Sequence, residues 1–323
     1  MSLAVLLVGV VLVSFVVGEK NVALSDTLAA VVAFDPGNND HLLVRHLRVP
    51  RTLLAVIVGC ALGVAGAVMQ ALTRNPLADP GILGVNAGAA AAIAAAIAFL
   101  GTTDVVDYMW FGLLGAAVAG GAVYLLGGLR RGTDPVRVVL AGAALTVVLQ
   151  ALTQVVLINS EEAVFDQFRH WTVGSLQGRG FAVLGPVAAL VGFGLLLAAT
   201  LVRALDAAVL GSDISRALGV DPLRVWGLSA LAVIVLAGGA TAAAGPIGFV
   251  GLTAPHLARS LTGPDHRWVI PYSMLLSAVL VVGSDAIGRV VARPGEVGVG
   301  IVVALIGGPF FVYLVRRGKL VQL

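Results

Sequence analysis

Charged side chains are scarce in this sequence of 323 residues: Asp, Glu, Lys and Arg make up 11%, against about a quarter in soluble globular domains. Hydrophobic residues account for 59%, and the mean hydropathy is +1.02. This balance excludes an ordinary soluble domain and predicts a chain that lies in a lipid bilayer, with membrane lipid as its surroundings. Short segments that alternate apolar and polar residues are absent, so the prediction is an all-α, polytopic membrane protein rather than a barrel.

Cysteine and the familiar catalytic motifs are also missing. Cys60 is the single cysteine, so we expect no disulfide framework and no thiol metal site. We also predict no bound metal and no cofactor. The sequence has no GxxxxGK[ST], HExxH or GxSxG motif, so an enzyme is not expected, and a pump of this kind needs its ATPase on another chain. The net charge of +3 comes from scattered Lys and Arg residues, which predicts no nucleic-acid partner.

Ten apolar stretches are predicted to cross the membrane, since a helix of about 20 residues spans roughly 30 Å of hydrocarbon. We treat residues 1–323 as a single transmembrane domain. A cleaved signal peptide is the alternative for the first stretch, but no Lys or Arg precedes it. The ten stretches are Leu3–Val17, Thr52–Leu72, Ile82–Leu100, Tyr108–Leu129, Val138–Ile158, Phe181–Val202, Val225–Ala244, Ile247–Leu261, Val269–Ile287 and Val297–Val315.

The loops give the predicted orientation. An even number of crossings puts both termini on one side, and the loops on that side hold more Lys and Arg than the alternate loops. The positive-inside bias therefore predicts cytoplasmic termini. Arg45, Arg48 and Arg51, which recur at every third position, then fall on the outer side. Lys and Arg are usually depleted on the outer side, so we expect these arginines to bind a partner there.

Small residues dominate several predicted helices, as in the segment GAAAAIAAAIAFLG, and they predict close helix packing. Ionisable residues within the spans are few, and Asp285 and His256 are the main ones. A membrane acid is a functional hypothesis by default. Asp285 either relays protons in an ion-coupled secondary transporter, which is our alternative function, or braces the end of a helix.

The longest segment on the predicted inner side is RALDAAVLGSDISRALGVDPLR, residues 203–224. It is too polar for lipid, but it has apolar residues at helical spacing. Gly211 and Ser212 divide it, so we predict two short helices at the cytoplasmic face, between the sixth and seventh spans. These helices either rest at the membrane interface or dock a partner. The need for an ATPase on another chain favours docking.

Six motifs then carry a family resemblance over nearly the whole chain. They are LRVPRTLLAVIVGCALGVAGAVMQALTRNPLADPGILGVNAGA, LGSDISRALGV, GPIGFVGLTAPHLARSLTGPDHRWVIP, SDAIGR, EVGVGI and ALIGGPFFVYLV. In this order they resemble the FecCD-type permease subunits of bacterial ABC transporters for iron-siderophore, haem and cobalamin uptake.

The resemblance implies ten transmembrane helices in the bacterial inner (cytoplasmic) membrane, with both termini in the cytoplasm. It implies four partner subunits: a second permease, which is either a copy or a paralogue, two ATP-binding subunits and an extracytoplasmic substrate-binding protein. The implied cargo is a ferric siderophore, with haem or a corrinoid as alternatives.

The resemblance also implies roles for residues at the outer face. Arginines that correspond to Arg48, Arg51 and Arg289 form salt bridges in similar transporters with glutamates on the two lobes of the binding protein. Bidentate pairing of guanidinium with carboxylate suits that role. The alternative is that these arginines extend to lipid headgroups at helix ends. Arg45 has no counterpart in the family pattern.

At the inner face, the segment 206–220 corresponds to a pair of coupling helices that sit in the ATPase cleft. Gly211, Arg216, Leu218 and Gly219 match its pattern. The turn RNPLADP corresponds to a cytoplasmic gate, with Asn75 and Leu77 as the candidate gate residues, whereas its prolines are equally typical of a plain turn. A second gate is implied at the start of the fifth span, where Pro135 and Val136 replace the family's small hydroxyl residues.

Overall fold

A computed structural model describes residues 2–18, 20, 22–127 and 135–316, and across these residues all regular elements are helical. Four basic residues that count toward the Lys and Arg excess of the predicted cytoplasmic side lie outside the described residues. They are Arg130, Arg131, Arg317 and Lys319. We number the α-helices α1 to α14 in chain order. Their bounds are Ser2–Val16, Leu24–Val32, Asn39–Leu43, Val49–Thr73, Val85–Leu100, Val105–Leu126, Pro135–Ile158, Glu162–Thr172, Phe181–Val209, Ser212–Ala217, Pro222–Ala244, Val250–Thr262, His266–Val291 and Val299–Arg316.

Each predicted span overlaps one of these helices, so the all-helical prediction is confirmed for the described residues and is consistent with a polytopic membrane protein. Among the described residues, six helical segments are long and apolar enough to cross a membrane, and α1, α5 and α14 are shorter apolar helices. Helix α12 has only 13 residues. The total of ten crossings therefore stays a prediction. The six segments are Asn39–Thr73, Val105–Leu126, Pro135–Ile158, Phe181–Val209, Pro222–Ala244 and His266–Val291.

The bundle has two distinct ends. The C-terminal ends of α1 and α13 meet the start of α4 at one end, which we call the arginine end after Arg48, Arg51 and Arg289. The C-terminal ends of α4 and α9 meet at the other end, which we call the α10 end. The directions of the helices place the first and last described residues at the α10 end. This agrees with an even number of crossings.

Helix α4 lies at the centre of the bundle, and most of its residues are buried. Three of its glycines let neighbouring backbones come close. A Cβ on Gly59 would lie 2.6 Å from the Cα of Ala278 in α13, and one on Gly66 would lie 2.0 Å from the carbonyl oxygen of Gly251 in α12. Gly63 is similarly enclosed by α13. The prediction of tight packing through small residues is confirmed.

Two helix boundaries differ from the predictions. The helix predicted to begin at Thr52 starts at Asn39 and runs through a π-helical turn, Val44–Arg48, into α4. The π-turn shifts the register of the chain, and Arg45, which is exposed, does not share the face of Arg48 and Arg51, which line one cavity. The second difference is that α9 continues to Val209, because Leu205 and Ala207 are buried and the sequence before Leu210 is rich in helix formers.

The prediction of two short helices in residues 203–224 is therefore wrong for the first of them, which is the end of α9. Gly211 adopts φ 110°, a value that suits glycine, and it ends the continuous helix. Only α10 follows as a separate short helix between α9 and α11.

We predict that Gly66→Ala destabilises the bundle, because the added methyl group overlaps the α12 backbone. The expected loss in the free energy of unfolding is about 1–3 kcal/mol. Gly121→Ala is the matched control, since Gly121 is also within a helix but has no atom within 4 Å of the Cβ position. Thermal unfolding of both variants in detergent measures the difference. Equal melting temperatures would contradict the close contact of α4 with α12.

Candidate functional site

Asp285 is the centre of a buried ionic cluster at the arginine end. Its side chain is 1% exposed and accepts hydrogen bonds from Arg51, with Nη2 at 2.8 Å and Nε at 3.1 Å. Asp285 also pairs with Arg289, one helical turn further along α13. Nη1 of Arg51 donates to a carboxylate oxygen of Glu296 at 2.7 Å. The cluster thus joins α4, α13 and the loop before α14 through charge-assisted bonds.

Three arginines cap the C-terminal end of α1. The last carbonyl groups of a helix have no donor within the helix, and the partial negative charge there favours a cation. Arg48, Arg289 and Arg293 fill this role from the π-helical turn before α4, from α13 and from the loop that follows α13. Arg48 donates to the carbonyl oxygens of Phe15 and Val16, Arg289 donates to that of Ser14, and Arg293 donates to that of Gly18. These distances are 2.6 to 2.8 Å. Arg48 also donates to the carbonyl of Lys20.

The arginines assigned to docking are therefore engaged within the chain. Arg48 and Arg289 are 6% and 2% exposed. The Arg51 side chain is 12% exposed. Extension of these side chains to lipid headgroups does not agree with that burial. Arg45 is exposed instead, and its guanidinium lies 4.3 Å from the centre of the Phe34 ring.

A cavity of about 560 Å³ nevertheless reaches these arginines. Arg179, in the loop before α9, adds a further cation to its wall and donates to the carbonyl oxygen of Ala243 at 2.8 Å. Burial lowers the pKa of the Arg179 guanidinium, while Tyr108 opposes this change. An anion that entered the cavity would meet mainly positive charge. The charged residues on the wall are Lys20, Arg48, Arg51, Arg179, Arg289 and Glu296.

At the opposite end, α10 presents an exposed surface. Ile214 and Leu218 are 51% and 60% exposed, and the Arg216 side chain is 64% exposed. Ser215, on the other face, is buried, and its hydroxyl oxygen lies 2.7 Å from the carbonyl oxygen of Ala207 in α9. Gly219 ends the helix with φ 78°. Apolar side chains and a cation are thus displayed together on a helix that is anchored to α9.

The turn after α4 is ordered by its own side chains. Asn75 accepts a hydrogen bond from the backbone N–H of Leu77 at 2.9 Å, and Asp79 accepts one from that of Gly81 at 2.8 Å. Leu77 is 38% exposed. Pro135 begins α7, and Val136 beside it is exposed. Because Asn75 and Leu77 follow the C-terminal end of α4, they lie at the α10 end, far from the arginine cluster.

Sequence reasoning identified Asp285 but missed Glu296, Arg179 and Arg293 as parts of this end. The spacing of Asp285 and Arg289 by four residues is a signal for pairing on one helix face. Glu296 lies in the motif EVGVGI, but its neighbour Arg51 is far away in the sequence. No local pattern predicts that contact.

A family model and individual known proteins agree on the family to which this chain is similar. A model of the FecCD transport family matches residues 6–317. The ferric enterobactin transport system permease protein FepD of Escherichia coli (strain K12) is 43% identical over 98% of this chain and 94% of its own length. The Fe(3+)-citrate import system permease protein YfmD of Bacillus subtilis (strain 168) is 38% identical over 94% of this chain and 90% of its own length.

A solved structure is similar over the whole fold. It is a metal-chelate type ABC transporter in an inward-facing conformation, with a TM-score of 0.85 and 26% identity. The match covers 98% of this chain and 97% of that chain.

We predict that Asp285→Asn destabilises the protein strongly, because Arg51 and Arg289 lose their shared negative partner inside the bundle. Removal of one partner from a buried ionic cluster costs about 3–5 kcal/mol. Asp213→Asn is the control, since the Asp213 side chain is 96% exposed and its contact with Arg216 contributes little. Thermal unfolding in detergent distinguishes the two. An unchanged melting temperature for Asp285→Asn would show that the cluster does not support the fold.

Proposed function

This chain belongs to the FecCD transport family, and we propose from that premise that it is the permease subunit of an ABC importer for a ferric siderophore. The family match over residues 6–317 is the observation that carries this proposal. The chain supplies the membrane pathway and breaks no bond in the cargo. We assign it no catalytic step, and its sequence has no GxxxxGK[ST] loop that could bind the phosphates of ATP. ATP hydrolysis falls to two separate ATP-binding subunits.

The relatives favour an iron chelate as cargo. Relatives named for ferric enterobactin and for Fe(3+)-citrate match more than nine-tenths of the chain. Haem and corrinoids are the second choice. A second permease subunit, identical or paralogous, completes the pathway, and an extracytoplasmic binding protein delivers the cargo.

The α10 end faces the cytoplasm in this proposal, and the arginine end faces outward. The Lys and Arg bias of the loops supports this orientation. The exposed Ile214 in α10 and Leu218 immediately after it support this orientation independently, because an apolar surface beside an exposed arginine is typical of a docking site for a protein partner.

The segment 206–220 couples this subunit to the ATPase. Arg216 and Leu218 are exposed for contact with the ATPase. Gly211 and Gly219 both take backbone conformations that favour glycine, and they fix the direction in which α10 projects from the bundle. Asn75 and Leu77 form the cytoplasmic gate in the turn beside this segment.

Docking of the binding protein occurs at the arginine end. A carboxylate of that partner enters the cavity lined by Arg48, Arg51 and Arg289. Glu296 already holds one side of Arg51, so a partner carboxylate competes with Glu296 for the same guanidinium. Charge complementarity of this kind affects both association and specificity.

The ion-coupled alternative relied on Asp285 as a proton carrier. In the described fold, the Asp285 carboxylate is paired with the guanidinium groups of Arg51 and Arg289 and joins α4 to α13. The bracing role weighed for Asp285 is the one that its contacts support.

We expect liposomes that contain both permease subunits and both ATPase subunits, with the binding protein outside, to take up ferric siderophore only with ATP inside. Ionophores that collapse proton and sodium gradients should leave uptake intact, because the cycle uses ATP alone. Radioactive iron accumulation measures both conditions. Uptake driven by an ion gradient, without ATP, would establish the ion-coupled alternative instead.

We expect Glu296→Gln to strengthen docking of the binding protein by roughly threefold or more, since it releases Arg51 from a competing carboxylate. Asp166→Asn is the matched control: it removes one negative charge at the same end, where Asp166 lies 3.1 Å from exposed Arg169 and away from the cavity. Surface plasmon resonance on permease in nanodiscs measures both affinities. Equal changes in the two variants would mean that general surface charge, and not this cavity, controls docking.

A further inference from the structure

Arg74 occupies an unusual position at the end of α4. Its backbone is left-handed, with φ 50° and ψ 36°, and its N–H caps the last turn of the helix. Glycine is the residue that this position normally favours, because a side chain there meets steric resistance. Among the described non-glycine residues, only Arg74 and Phe249 have positive φ. The backbone conformation at this position therefore favours glycine, but the residue is an arginine.

The side chain of Arg74 reaches the end of α9. Its Nε donates to the carbonyl oxygen of Ala208 at 3.2 Å. Nη1 lies 3.8 Å from the point where a Cβ on Gly211 would be. The cation thus lies at the C-terminal end of α9, where the helix dipole favours positive charge. Its side chain shares a crevice with Ser215 of α10 and Trp226 of α11.

Helix α10 and the end of α9 are joined into one unit. The hydroxyl oxygen of Ser215 lies 2.7 Å from the carbonyl oxygen of Ala207 and 2.8 Å from that of Gly211. The backbone N–H of Val220 donates to the carbonyl of Ser215 at 2.9 Å. A displacement of α10 therefore carries the carbonyl group of Ala208 with it, and that group is the acceptor for Arg74.

The other side of Arg74 leads directly into the gate turn. Asn75 follows it in sequence, and the backbone N–H of Asn75 donates to the carbonyl of Gln70 in α4 at 3.2 Å. The Asn75 side chain fixes Leu77. Arg74 is thus linked to the gate candidates through the backbone, and its side chain is hydrogen-bonded to the α9–α10 unit.

We propose that Arg74 is the positioning residue that transmits the movement of α10 to the gate turn of Asn75 and Leu77. This inference rests on the proposed function of the chain as an ABC permease. When the ATPase subunits displace α10, the α9 end moves, and the guanidinium of Arg74 draws the start of the gate turn along with it. Without this side chain, ATP hydrolysis continues but opens the gate poorly.

Arg74→Gly tests the proposal most sharply, because glycine suits the left-handed backbone and leaves the turn intact. We expect the complex to assemble and to melt no lower than wild type. The amount of iron chelate transported per ATP hydrolysed should fall by roughly 3- to 30-fold. Arg74→Lys keeps a cation at the α9 end and should recover part of the ratio. Arg203→Ala, an exposed arginine earlier on α9, is the control and should keep the wild-type ratio.

Liposome uptake and phosphate release, measured on the same preparation, give the ratio. A wild-type ratio in Arg74→Gly overturns the proposal while the permease function stands. If Arg74→Gly fails to assemble, Arg74→Gln, which keeps most of the side chain without its charge, must show the lowered ratio, and a wild-type ratio in that variant also overturns it. If the wild-type complex transports no chelate, the proposed function fails first.

Discussion

The pairing of Asp285 with Arg51 and Arg289 is the interaction on which the rest of the structure depends. A carboxylate and two guanidinium groups inside a membrane protein are stable only when each finds its partners. Those partners come from α4 and α13, and Glu296 adds the loop before α14. Because Arg48 and Arg289 also satisfy the carbonyl end of α1, three helices must meet at one end of the bundle in one arrangement.

Close packing extends this constraint along the membrane. Gly59, Gly63 and Gly66 bring α4 against α13 and α12 at backbone distances, so the central helices behave as one packed unit. The α10 end is different in kind. There, Leu218 and Ile214 face outward, and hydrogen bonds such as those of Arg74 with Ala208 and of His266 with Asp206 connect the elements. In the proposed function, the buried cluster fixes the arginine end, and the exposed α10 end is the part that the ATPase moves.

Hydropathy predicted the helices well, because each span is a local property of about twenty residues. Hydropathy could not predict contacts between residues that are distant in the sequence. Arg45, Arg48 and Arg51 recur at every third position, but the π-turn before Val49 separates Arg45 from the cavity that Arg48 and Arg51 line. Burial of Arg48 by the carbonyl groups of α1 has no signature in either segment. The length of α9 was missed because Arg203 and Asp206 lower the hydropathy of a stretch that tertiary contacts keep helical. The family resemblance recovered function where local patterns could not.

Hydrogen–deuterium exchange of the assembled transporter, with and without ATP and in the absence of the binding protein, tests the division between the two ends most directly. We expect nucleotide to change exchange in residues 72–84 and 203–222, while residues 44–56 and 281–297 stay protected in both states, because the buried ionic cluster opens only with global unfolding. A nucleotide-dependent loss of protection around Asp285, with no change at the α10 end, would show instead that the arginine end is the part that moves.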